Sequence, residues 1–223
     1  MSWHKLQTTN NGSLQVLLLN KACHSQTSDV YLQAKNYFDD WMFGNKGVEL
    51  RPSLVKIMRD CVISVGPELY WEYTYMRYKH GNGNSDPLLW SLTSTTNVQL
   101  VKKLLDFSID QEKIDSQYTP YVISQLAGNS HETRDLCWNF IKDNWALIFR
   151  RYGQDIFMLS DLLSSVLPRF STPGDLKDIE EFFSGRDLGS ANNTYHVSIH
   201  KIKTNILWKR NHYHTFKKWL DRQ

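Results

Sequence analysis

Cysteine is scarce: the chain holds three, Cys23, Cys61 and Cys137. An odd trio makes no closed set of pairs, which excludes the small disulfide-scaffolded class of secreted domain. Cys23 and Cys61 can pair only if the fold brings them together. Cys137, beside Trp138 in an apolar stripe, reads as a small buried hydrophobe. Charge of one sign is also scarce. Twenty-six lysines and arginines face 23 carboxylates, a net charge of +3, and no five like charges run together. That balance argues against nucleic acid as a partner. Long apolar runs are missing too: the longest near the start is Val16 to Leu19, and no basic stretch follows Met1. Neither a membrane span nor a signal segment is expected.

Several catalytic signatures are absent. There is no G-x-x-x-x-G-K-S/T loop, no G-x-S-x-G elbow and no C-x-x-C. Gly81 and Gly83 make half a G-x-G-x-x-G, but no strand precedes them. His131-Glu132 opens like a zinc motif, yet Asp135 stands where the second histidine belongs. His196 and His200 are four apart and would share a helix face, but Val197 follows the first, so the general-base glutamate is missing. No catalytic group and no metal site is expected in this chain, and no cofactor of its own.

What is present is helical periodicity. Asp29 to Phe43 puts Val30, Ala34, Tyr37, Phe38 and Trp41 on one face, with Gly44 as the stop. Pro52 to Val65 begins with proline at a first helical position and ends at Gly66-Pro67. Helices follow over 68–79, 97–107, 117–126, 132–152, 156–167, 173–183, 195–208 and 211–220, with a short one opening at Asp86-Pro87. The β-branched run Thr93 to Thr96 reads as a turn and cap. In FSTPGDL, Thr172 is the expected N-cap, Pro173 the first helical residue and Asp175 the acid that reaches back. The expected fold is all-α: about ten to twelve helices with short loops, arranged as a superhelical, concave, HEAT-like α-solenoid. An internal echo favours paired-helix repeats: Thr96 to Ser108 and Thr172 to Ser184 share Thr, Leu, Phe and Ser at matching positions.

The densest aromatic segment is LCWNFIKDNWALIFRRYG, residues 136–153. Trp138, Ile141, Trp145, Ile148 and Tyr152 recur on a 3.6-residue period, which predicts one buried face rather than an aromatic ligand box. Aromatics make up 13% of the chain, with eight tryptophans, so the core is expected to be bulky.

These segments resemble the C-terminal helical domain of the aminopeptidase N family of zinc metallopeptidases, which includes the endoplasmic-reticulum and insulin-regulated aminopeptidases. The matched pattern is W-N/D-F-x-x-x-N-W at Trp138, Asn139, Phe140, Asn144 and Trp145. It continues with R-F-S-T at Arg169, Phe170, Ser171 and Thr172, N-I-x-W at Asn205, Ile206 and Trp208, and the final Trp219-Leu220. Upstream, Ala22-Cys23, "LRPSLVKIMRDCVI" and "LVKKLLDFSID" also match, so the likeness spans residues 14–222.

The resemblance implies that residues 1–223 are a single C-terminal domain lacking its first helices. It implies a non-catalytic bowl that caps the active-site cavity and helps bind or select peptide substrates. The catalytic domain of the same parent chain would be its partner, and zinc would sit in that domain. Arg134 and Arg169 are the candidates to hold a peptide carboxylate, because a guanidinium can grip it bidentately. The implied setting is the extracellular face of a membrane or the secretory lumen, and the sequons at Asn11 and Asn192 hint the same way. One departure counts against it. The family pairs Cys23 with a residue that is Val30 here, and Cys61 with one near Ser94, so both family disulfides are expected to be broken. A rival reading is a stand-alone or inactive α-solenoid acting as a protein-interaction scaffold.

Overall fold

The computed structural model describes residues 18–19, 22–23, 28–44, 50, 52–81 and 85–222. Among them are eleven α-helices and no strand, so the fold is all-α. The chain divides into two compact units, Met1–Ile114 and Asp115–Gln223.

The first unit contains α1 (Asp29–Phe43), α2 (Pro52–Val65), α3 (Glu68–His80), α4 (Asp86–Leu92) and α5 (Val98–Ile109). Ser28 caps α1 by accepting the Tyr31 N–H, and Gly44 ends it at φ +71°, a left-handed conformation that suits a residue without Cβ. Helix α2 packs on α1, α3 and α4 through Leu54, Met58, Cys61 and Val62, each almost fully buried. Between α1 and α3 the seam is aromatic: Phe38 meets Tyr70 at 4.7 Å and Trp41 meets Tyr73 at 5.0 Å between ring centroids. The Tyr70 hydroxyl donates to Asp39 Oδ1 at 2.7 Å across the same seam.

The second unit contains α6 (Thr119–Leu126), α7 (His131–Asp143), α8 (Trp145–Tyr152), α9 (Met158–Val166), α10 (Pro173–Phe183) and α11 (Asn192–Leu220). Its core helix is α9. Leu159, Leu162, Leu163 and Val166 are wholly buried, against α6, α7, α8 and α11. The aromatic stripe lies inside as expected: Trp138, Ile141, Trp145, Ile148 and Tyr152 are all buried. Trp138 and Trp145 each meet Phe182 and Phe183 of α10. Cys137 is the buried free thiol, and burial pushes it up to about 12.

Two expectations are corrected, and one pairing left open is settled. The helix expected over 132–152 breaks at Asn144, which takes φ −108° and ψ 16°. Its side-chain amide donates to the Phe140 carbonyl, one of the local bonds by which asparagine competes with the helical ladder. The two helices expected over 195–220 are one, α11. Lys209 and Arg210 are good helix formers, and Asn211 costs at most about 0.7 kcal/mol in a helix interior, too little to interrupt it. Finally, Cys23 and Cys61 form a disulfide, with Cα atoms 5.3 Å apart. Val30 and Ser94 still stand at the family's partner positions, and the two cysteines left over close on each other.

The echo between 96–108 and 172–184 is out of register at the caps. Asn97 caps α5, accepting from the Gln99 and Leu100 N–H groups, whereas Thr172 caps α10.

Candidate functional site

The motif segments of the second unit converge on one turn, residues 167–172, between α9 and α10. Helix α7 approaches with Arg134, which is 8% exposed. Its Nη1 donates to the Arg169 carbonyl at 3.1 Å, its Nε and Nη2 donate to Asp135 Oδ1, and its guanidinium lies 4.3 Å from the centroid of the Phe170 ring. Helix α11 approaches with Asn205, whose amide donates to the Pro168 and Phe170 carbonyls at 2.9 and 3.3 Å. Within the turn, Thr172 and Asp175 form the expected capping box. Asp175 Oδ2 also accepts the Ser171 N–H at 3.4 Å. Trp138 of α7 ties down the helix that follows the turn: its Nε1 donates to Asp178 Oδ2 of α10 at 2.6 Å. These residues hold a loop whose carbonyls would otherwise lose partners on burial.

The predicted site residues thus part company. Arg134 is buried, with one donor on the turn and two on Asp135. Arg169 is exposed, with Nε bonded to the Ser165 carbonyl. Asn139 is exposed, Phe140 is half-buried and Phe170 is buried. Trp208 is 52% exposed and takes no part in the clamp. His196 and His200 are exposed on α11. Among the described residues, no three His, Cys, Asp or Glu side chains converge as a metal site would need. Asn192 is exposed at the start of α11, and Asn11 lies outside the described residues.

The concave feature of the first unit was not legible in the sequence. A pocket of about 670 Å³ opens among α1 to α4. Trp41, Pro52, Val55, Leu88 and Trp90 wall it, and Lys56, Arg59 and Arg77 add positive charge. Lys56 is paired with Asp60. Arg77 is exposed in the last turn of α3. Arg59 is different: its Nε is buried without a hydrogen-bond partner among the described residues. Burial pulls its guanidinium below its ordinary value, and neighbouring Asp60 opposes that shift. A buried donor left unmet costs about 1–3 kcal/mol, so a carboxylate placed there would gain more than at a solvated cation. Apolar walls with a few polar groups are the usual make-up of a small-ligand site. Only the scattered cations of α2 and α3 hint at it in sequence, because four helices must meet before it exists.

Among the described residues the elements are all helical, with the motif residues of one unit gathered at a structural turn and a cation-lined apolar pocket in the other. The family described as the ERAP1-like C-terminal domain matches residues 1–204, and the chain belongs to it. It is 31% identical over 207 residues to the thyrotropin-releasing hormone-degrading ectoenzyme of Rattus norvegicus, covering 90% of this chain and 18% of that protein. It is 25% identical over 211 residues to aminopeptidase Ey of Gallus gallus and 22% identical to aminopeptidase N of Homo sapiens, covering 92% of this chain and 22% of each. The chain thus spans about a fifth of the length of the curated relatives it matches. It is a C-terminal domain of the aminopeptidase family.

Proposed function

We propose that this domain caps the active-site cavity of a zinc aminopeptidase and helps bind its peptide substrates, with no proton transfer or metal ligation of its own. The HEAT-like stacking, the concave bowl, the reading of 1–223 as a single domain and the zinc of the catalytic part all belong to this proposal. The observation that carries it is the pocket of the first unit, where the unpartnered Arg59 Nε and the exposed Arg77 border tryptophan and proline walls. Such a site suits a peptide's C-terminal carboxylate together with a bulky apolar side chain. Arg169, exposed in the second unit, is a further cationic contact for peptide, and Arg134 is the residue that positions its backbone.

Two measurements test the reading. The mass of the endogenous protein, read with an antibody to this chain, should be several times 26.2 kDa. A band at that mass instead favours the scaffold reading. Peptides ending in a bulky apolar residue should bind the chain better with a free carboxylate than as C-terminal amides. Arg77→Ala should remove that preference, and equal binding of acid and amide overturns the proposed role of the pocket.

A further inference from the structure

Helix α11 changes character halfway along. Its first half is anchored: Ser198, Ile199 and Ile202 are buried, Lys203 pairs with Glu180 at 2.9 Å, and Asn205 reaches the 167–172 turn. From residue 207 to residue 222 every residue is exposed. That half is not polar. Trp208, Phe216 and Trp219 recur on a helical period, with Tyr213 and Leu220 alongside, and each is 50–54% exposed. Phe216 stacks on Trp219 at 5.8 Å, so the stripe is continuous. Lys209, Arg210, Lys217, Lys218 and Arg222 share the segment with a single carboxylate, Asp221. The result is a basic helix, aromatic on one face, roughly 20 Å long at 1.5 Å per residue.

Three observations narrow what covers this face. Helices draw most of their stability from packing an apolar face, and every residue of this stretch is exposed. Lys209 and Arg222 border this face, so two copies face to face would bring like charges to the rim of one contact, which disfavours self-association. The relatives are about five times as long as the matched region, so a tethered surface at high effective concentration is the natural seat. We infer that the terminal half of α11 is a docking helix, seating its Trp208–Trp219 face in an acidic-rimmed apolar groove on the remainder of a longer parent chain. The inference rests on the reading of this chain as one domain of a longer peptidase. Exposed tryptophans flanked by arginine are the residue types that dominate interface energetics.

The test is covalent footprinting of Trp208 and Trp219 in the natural full-length protein and in the 223-residue chain alone. Both indoles should be labelled several-fold less in the longer protein. The quadruple reversal K209E/R210E/K217E/K218E, at exposed positions, should restore labelling there while the circular dichroism stays unchanged. Equal labelling in the two proteins overturns the docking inference while leaving the parent reading intact. An endogenous mass of 26.2 kDa overturns the parent reading itself. Protection of the short chain by phosphatidylserine-containing vesicles, without protection in the longer protein, assigns the face to a membrane and overturns the groove. Concentration-dependent protection of the short chain alone assigns it to a second copy and overturns the groove as well.

Discussion

The indole Nε1 of Trp138 and the carboxylate of Asp178 meet at 2.6 Å, joining α7 to α10 across forty positions of sequence. Lys142 completes the contact, donating to Asp178 at 3.0 Å while lying 5.5 Å from the Trp138 ring centroid. Burial alone would raise the Asp178 carboxyl, but the donors outweigh it and hold it below its ordinary value. Trp138→Phe keeps most of the apolar area and deletes the donor. It should destabilise the chain by about 0.5–1.5 kcal/mol in urea titrations, the net worth of one hydrogen bond, because Asp178 is half exposed and keeps Lys142. Asp178→Asn, which still accepts, should lose less.

Cys23 and Cys61 close a loop across 38 positions. Under denaturing, non-reducing conditions, alkylation should modify Cys137 and leave the other two untouched. Cys61→Ser should lower stability by about 3–4 kcal/mol, the loop-entropy value for a ring of this size. Labelling of all three cysteines in protein from an oxidising compartment refutes the pairing.

Asp39 links stability to acid. Burial alone would raise its carboxyl, but bonds from Lys35 Nζ and Tyr70 Oη, both at 2.7 Å, hold it below the ordinary range. Its contribution is therefore complete above the unfolded value of about 3.9 and is lost as pH falls through the lower folded value. Asp39→Asn should flatten the acid limb of a stability–pH curve. At the alkaline end, burial pushes Tyr70 and Tyr75 up to about 12. A raised folded value stabilises below the unfolded one of about 10 and is lost as pH climbs through the folded one. Phenolate absorbance should show both rings ionising only as pH climbs towards about 12.

Gly189 stands at φ +51°, and a Cβ there would lie 2.1 Å from the Gly153 carbonyl oxygen. That oxygen accepts the Ser190 N–H at 3.1 Å, which anchors the approach to α11. Gly189→Ala should cost about 1–3 kcal/mol from backbone strain, with the clash added. Hydrogen exchange should speed up first over 189–199.

Asn192 is exposed, and its sequon is complete with Thr194. Expressed through a secretory pathway, the chain should carry a glycan there that Asn192→Gln and Thr194→Ala each remove. Secreted protein with an unmodified Asn192 peptide contradicts this.

Local signals carried most of the element map. Thr172 announces its helix by capping, Pro52 and Pro173 by position, and Gly44 by its left-handed stop. Apolar period placed Trp138, Ile141 and Trp145 inside. Such signals act within a turn or two, so they survive without knowledge of distant partners. Helix continuity was harder to read, because one side chain's local choice decides it: Asn144 broke one helix, while Asn211, facing solvent, broke none. The motif W-N-F, R-F-S-T and N-I-x-W marked the family, but its physical meaning came only when α7 and α11 met at the 167–172 turn. Arg134, a substrate candidate by charge, gives that turn one donor and Asp135 two.

Composition and period alone determined that this chain is all-α, aromatic-cored and without a local catalytic motif, because burial pattern and capping are written in neighbours three and four residues apart. Tertiary structure decided the Cys23–Cys61 pairing, the Trp138–Asp178 tie, the cation-lined pocket and the bare face of α11. Each depends on groups tens of residues apart, and only packing brings them within a bond length or leaves them uncovered.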